Sequence, residues 1–200
     1  MARPGSRMAF RFIFLVEAPP AGGAAFPDGD APADPRLLTR ARRLDLGGRG
    51  TVWRAPGRTP SDTVLALGQA SEIAPALRPV DCGRWTGRRL ADIAAEDADG
   101  LRDWLRDPRA APHGGETLAA ATERVGAWMG EREAEGGDGI AIASPLIVAA
   151  ATARALGGEA DLALRLDLPP LSCVALGFNR GWRLHHFGPA TGLLRRKAAT

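Results

Sequence analysis

The chemistry this 200-residue chain could do rests on few residues: three histidines, two cysteines, and a carboxylate closing an apolar run. That carboxylate is Glu17, which ends Phe10–Val16 and is followed by Ala18-Pro19-Pro20. A carboxyl group shielded from water there would have a raised pKa, suited to general acid–base work. The other reading of Glu17 is a carboxylate held by Arg58 or a helix N-terminus, without chemistry. Glu116 follows Pro112-His113-Gly114-Gly115 and also has two readings, a second acid facing Glu17 or the acid that opens a helix. His113 belongs to the same turn, at the rim of a pocket or simply at the surface. Ser144 as a nucleophile would need an adjacent base, and none is placed for it. Its position before Pro145, as a helix N-cap, accounts for it.

Other chemistries find little footing. Cys82 and Cys173 match no metal or redox spacing and read as two free thiols in a reducing compartment. His185 and His186 are neighbours on a strand candidate, so at most one could face any site. No pair shows metal-ligand spacing, so neither a metal nor a cofactor is expected. The net charge of +3 comes from interspersed acids and bases, and arginines form no block with interleaved aromatics. Nucleic acid is therefore not an expected partner. Lys197 is the sole lysine and tyrosine is absent, while Ala, Arg and Gly abound, the bias of a GC-rich, bacterial genome. Arg3 and Arg7 before an apolar run imitate a signal peptide, but Arg11 interrupts that run and Glu17 ends it. No stretch is long enough to span a bilayer, and a cytoplasmic protein is expected.

The elements that must position these residues follow from pattern. Phe10 and Phe12–Val16 read as a strand buried on both faces. A long Pro-, Gly- and Ala-rich loop from Ala18 to Ala33 follows, of the kind that forms a rim or lid over a site. Asp34-Pro35 starts a helix running to about Leu44, Thr51–Trp53 is a short strand, and Ser61 caps a helix reaching about Ala70. Short helices are expected at Leu90–Ala95 and Leu101–Arg106. A longer one carries Leu118, Thr122, Val125 and Trp128–Met129 at helical spacing. Glu131 to Gly139 reads as a solvated end and loop. Ile140–Ala143 is a second buried strand, and Pro145 opens an almost wholly apolar helix ending before Gly157. Leu162–Leu168, Ser172–Phe178 and Trp182–Phe187 are strand candidates, the last two a hairpin. The expected architecture is a three-layer α/β sandwich: a mostly parallel sheet, helices on both faces, and an antiparallel edge or C-terminal hairpin. One domain is expected over 9–190, after a disordered leader at 1–8 and before a flexible tail at 191–200.

The order of segments resembles the histidine phosphatase superfamily, with its phosphoglycerate mutase-like fold. The resemblance is carried by Asp81-Cys82-Gly83-Arg84-Trp85-Thr86-Gly87, by Trp104-Leu105-Arg106-Asp107-Pro108, and by Pro112-His113-Gly114-Gly115-Glu116-Thr117 with its following helix. In that family a first strand ends in Arg-His, whose histidine attacks phosphorus, while a second histidine and two arginines offset the phosphoryl charge. The resemblance places the family's cleft at Val16, Glu17, Arg58, His113, Glu116 and Ser144. Val16-Glu17 falls where Arg-His would stand, Ser144 where the second histidine would, and Pro79 where an acid is often found; the first histidine of the chain is His113. It thus implies a member that does not use the phosphohistidine mechanism, a pseudoenzyme binding a small molecule or protein partner in the old cleft. The alternatives are an enzyme of changed acid–base chemistry using Glu17 with Glu116 or His113, and a residual phosphomonoesterase. A homodimer is compatible with any of these.

Overall fold

The computed structural model describes residues 10–22, 24–47, 50–193 and 195–196. The expected leader at 1–8 lies outside them. Strand β1 (Phe10–Val16) carries six apolar residues in seven positions and occupies the interior of a six-stranded sheet. The remaining strands are β2 (Leu44–Asp45), β3 (Thr51–Arg54), β4 (Glu72–Ile73), β5 (Gly139–Ala143), β6 (Ser172–Phe178), β7 (Trp182–Pro189) and β8 (Arg195–Arg196). The main sheet runs β4-β3-β5-β1-β6-β7. β4, β3, β5 and β1 are mutually parallel, β6 is antiparallel to β1, and β6–β7 is the expected hairpin. β8 pairs with β2, so the segment expected to be a flexible tail contains a short strand.

The two-residue side-chain period of β1 feeds two cores. Phe10, Phe12, Phe14 and Val16 pack on the layer of α5 (Leu118–Glu135), α6 (Pro145–Ala155) and α7 (Ala160–Ala163). Ile13 and Leu15 pack on the layer of α1 (Pro35–Ala41) and α2 (Arg58–Leu67). This is the expected sandwich, with helices on both faces. Gly139 is required where β5 starts, because a Cβ there would come within 2.4 Å of the Trp53 ring and 2.7 Å of the Phe12 ring. A smaller third cluster joins Phe26, Cys82, Trp85 and Leu101 to Ile93 of α3 (Leu90–Glu96), with Trp104 of α4 (Ala98–Arg106) packed against it.

Val16 pairs with Ala143 at the carboxyl ends of parallel neighbours β1 and β5. The chain leaving β1 enters α1 on one face, and the chain leaving β5 enters α6 on the other. Adjacent strands whose connections part to opposite faces leave a crevice outside their carboxyl ends, the usual ligand position in such sheets.

Three local expectations are corrected. α2 begins at Arg58 after Gly57, whose φ of 112° suits only glycine, so Ser61 sits inside the helix and caps nothing. Residues 131–135 continue α5; Glu131 and Glu135 are exposed, while Arg132 lies over the Trp53 and Trp128 rings and Glu133 accepts a hydrogen bond from the Trp182 indole. Leu162–Leu168 is not a strand. Its alternate leucines do face the core, but 160–163 form α7 and the positions beside β1 are already taken by β5 and β6.

Candidate active-site cleft

Glu17 is the first residue beyond β1. Its backbone N–H donates to Ala143 O at 3.0 Å, prolonging the β1–β5 ladder and fixing the side chain at the mouth of the crevice. The carboxyl group is buried, with the residue 6% exposed. Oε1 accepts a hydrogen bond from the Thr59 hydroxyl at 3.0 Å. Oε2 is buried and has no hydrogen-bond partner among the described residues. Burial pushes the pKa of Glu17 up from 4.5 to about 7, and the Thr59 bond opposes that rise.

Thr59 is itself held in place. It lies in the first turn of α2, and Thr63 one turn later donates to its carbonyl at 2.8 Å. The Thr63 hydroxyl in turn accepts from Ala18 N–H at 3.0 Å. The start of α2 and the residues around Glu17 are thereby laced together. Sequence reasoning missed both threonines; their spacing of four on one helix face was the available signal.

A cavity of about 420 Å³ opens over Glu17. The loop expected to form a rim does form its wall, through Pro19–Gly22 and Ala24–Gly29. That loop is tied down by Phe26 N–H to Arg88 O at 2.9 Å, Gly87 N–H to Phe26 O at 3.1 Å and Leu90 N–H to Ala24 O at 3.0 Å. Phe26 packs its ring on Trp85 and Trp104 at centroid distances of 5.2 and 5.5 Å. Among the described residues the charged groups lining the cavity are Glu17, Asp28 and Arg89, and no histidine lines it. Ser144 does line it, is buried, and makes no cap hydrogen bond to α6 although it stands at the N-cap position.

Of the six residues placed in the cleft by sequence, Glu17 and Ser144 meet there and four do not. Val16 turns its side chain into the core with α6. Arg58 is exposed and its guanidinium lies 3.7 Å from Asp62, along the outside of α2, so it does not hold Glu17. Glu116 is gripped by Arg124 through Nε–Oε1 at 2.9 Å and Nη2–Oε2 at 2.7 Å, and by Arg78 at 3.0 Å. It anchors α5 to the segment before Asp81, and it is not a second acid facing Glu17. His113 is neither at the rim nor at the surface: it is 2% exposed, with its ring 5.1 Å from Trp85 and 6.3 Å from Trp104. Its Nδ1 accepts from Gly115 N–H at 3.0 Å, so the neutral ring carries its proton on Nε2, and burial holds its pKa below 6.5. Both thiols are buried and pushed up, Cys82 to about 11 and Cys173 to about 12, which makes them poor nucleophiles. Among the described residues no group of three or more His, Cys, Asp or Glu could hold a metal ion, and no helix is long and apolar enough to cross a membrane.

The segment order, the sheet and the crevice are those of a known family, whose profile, the histidine phosphatase superfamily (branch 1), matches residues 59–188. The chain belongs to the histidine phosphatase superfamily. The matched segment starts at Thr59, so β1 and Glu17 of this superfamily member lie before it. Among solved structures it is similar to a mycobacterial glucosyl-3-phosphoglycerate phosphatase complexed with VO3, at 21% identity over 90% of this chain and 98% of that one, with a TM-score of 0.77. It is also similar to the alpha-ribazole phosphatase from Shigella flexneri, at 18% identity over 90% and 96% of the two chains and a TM-score of 0.77. A third is a histidine-to-alanine mutant of the phosphoserine phosphatase from Entamoeba histolytica in complex with phosphoserine, at 12% identity over 92% and 100%, TM-score 0.77. At these identities the likeness is one of fold. No curated protein sequence matches the chain.

Proposed function

We propose that this member of the histidine phosphatase superfamily is a pseudoenzyme with respect to phosphoryl transfer and uses the cleft to bind a small ligand. The observation that carries the reading is Glu17: a buried carboxyl with an unpartnered oxygen, at the strand end where the family resemblance puts Arg-His. An ionised carboxylate about 4 Å from a phosphate oxygen costs on the order of 4 kcal/mol at an effective dielectric of about 20. Arg89 is the single basic side chain among the described lining residues, and it is exposed. One exposed arginine does not outweigh Glu17 and Asp28 together, and it supplies no nucleophile. The E. histolytica complex supports the premise that such a fold holds a small molecule after a histidine is replaced.

A second reading is favoured by the same group. A carboxyl with a pKa of about 7 is poised to take and return a proton at neutral pH, which suits acid–base chemistry on a centre that is neutral or cationic. Glu116 and His113 are outside the cleft, so the polar side chains that would act beside Glu17 are Thr59, Ser144, Asp28 and Arg89. A thermal-shift screen of metabolite-sized compounds tests the first reading. Stabilisation by at least one compound, abolished in Glu17→Gln, is the expected result. Stabilisation of both proteins alike by every hit would remove the cleft from the account.

A further inference from the structure

Beside the cavity over Glu17 is a second chamber of about 270 Å³. The two share Ala24–Pro27, Pro79 and Ser144-Pro145 as a common wall. Their linings differ sharply. The second adds Val80, Cys82, Leu90, Trp104, Leu105 and Leu146, and none of its described lining side chains is charged. A molecule lying across the shared wall would meet the buried Glu17 carboxyl at one end and apolar surface at the other.

The head group is selected by charge and by hydrogen-bonding capacity. Glu17 Oε2 is buried without a partner, and a buried acceptor or carboxylate is stabilised most by a donor that also carries positive charge. Asp28 adds a second acid to the lining of the cavity over Glu17, where the exposed Arg89 is the one basic side chain among the described residues, and Arg58 pairs with Asp62 outside. The start of α6 borders both chambers, and Pro145 at its first position takes away one of the N–H donors by which a helix N-terminus favours anions. Ser144, without a cap bond and lining both chambers, offers a further acceptor oxygen.

We propose that the cleft takes an amphipathic primary amine, its ammonium against Glu17 Oε2 and its aliphatic or aryl body in the apolar chamber. This deepens the ligand-binding function proposed above and rests on it. A phosphate ester is the opposite in charge at the head, and a short polar amine leaves the second chamber unused.

The test is calorimetric titration of the full chain at pH 8 with butylamine, hexylamine and octylamine, and with hexanol and hexyl phosphate as controls. Affinity is expected to rise roughly fourfold per added methylene until the apolar chamber is filled. Glu17→Gln is expected to weaken hexylamine at least tenfold and leave hexanol unchanged. Leu105→Ser, at an exposed position of the apolar wall, is expected to flatten the chain-length dependence while butylamine is unaffected. Hexanol binding as tightly as hexylamine would overturn the head-group assignment and leave the ligand-binding reading standing, as would a series that fails to bind while the compound screen yields a Glu17-dependent hit. Hexyl phosphate binding more tightly than hexylamine would overturn the head-group assignment together with the charge argument against phosphate in the cleft.

Discussion

The hydroxyl of Thr59 donates to Glu17 Oε1 at 3.0 Å, and it is the one side chain among the described residues that hydrogen-bonds this buried carboxyl. The bond favours the ionised form against the larger effect of burial. Thr59→Val is therefore expected to drive the Glu17 pKa further up, and to cost about 1 kcal/mol of stability for the lost hydrogen bond. Carboxyl-carbon NMR titration reads the first effect and urea unfolding the second. A downward move of the pKa would contradict the assigned role.

Glu17 also sets how stability depends on pH. Its pKa is raised on folding, so the folded state holds the proton longer than the unfolded chain. The stability this confers is fully present below 4.5 and is lost as pH rises through about 7. At about 1.36 kcal/mol per pH unit, the loss across that window is roughly 3 kcal/mol. Unfolding curves at intervals from pH 4 to pH 8 are expected to show wild type losing that much relative to Glu17→Gln. Parallel curves for the two proteins would mean that Glu17 is solvated.

His113 acts with the opposite sign. Burial lowers its pKa, so the neutral ring stabilises the fold above 6.5 and that contribution is lost as pH falls below it. Removing the ring also opens a void against Trp85 and Trp104 and leaves Gly115 N–H without its acceptor. His113→Ala is expected to cost about 3 kcal/mol in denaturant unfolding. A cost under about 1 kcal/mol would place His113 at the surface after all.

Glu116→Gln is expected to cost about 3 kcal/mol, because Arg124 and Arg78 lose a carboxylate that is only 12% exposed. Arg124 is also tied to the carbonyls of Ala76 and Arg78, so the segment before Asp81 loosens with it. Ligand stabilisation measured in the same protein is expected to persist, since Glu116 does not line the cleft. Loss of ligand response with unchanged stability would return it to the site.

How much of this was legible depended on the range of the cause. β1, β5, α6 and the β6–β7 hairpin are written in local runs of apolar residues, and the three motif segments from Asp81 to Thr117 gave the family. Glu17 was visible because one charge ends an apolar strand. Thr59 was not, because its partner is 42 residues away and a hydroxyl leaves no signal in hydropathy. Arg58 was misplaced because the extra turn at the start of α2 sends its side chain along the helix to Asp62. His113 was misjudged for a related reason: Gly- and Pro-rich turns usually lie at the surface, and this one is roofed by two tryptophans contributed from elsewhere in the chain.

The central claim is that a cleft built on Glu17 does not transfer phosphoryl groups. Hydrolysis of 4-nitrophenyl phosphate by the purified protein, followed from pH 5 to pH 8, tests it most directly. The expected result is no turnover above that of an enzyme-free control. Saturable hydrolysis by wild type that the control lacks would contradict it and make this chain a working phosphatase.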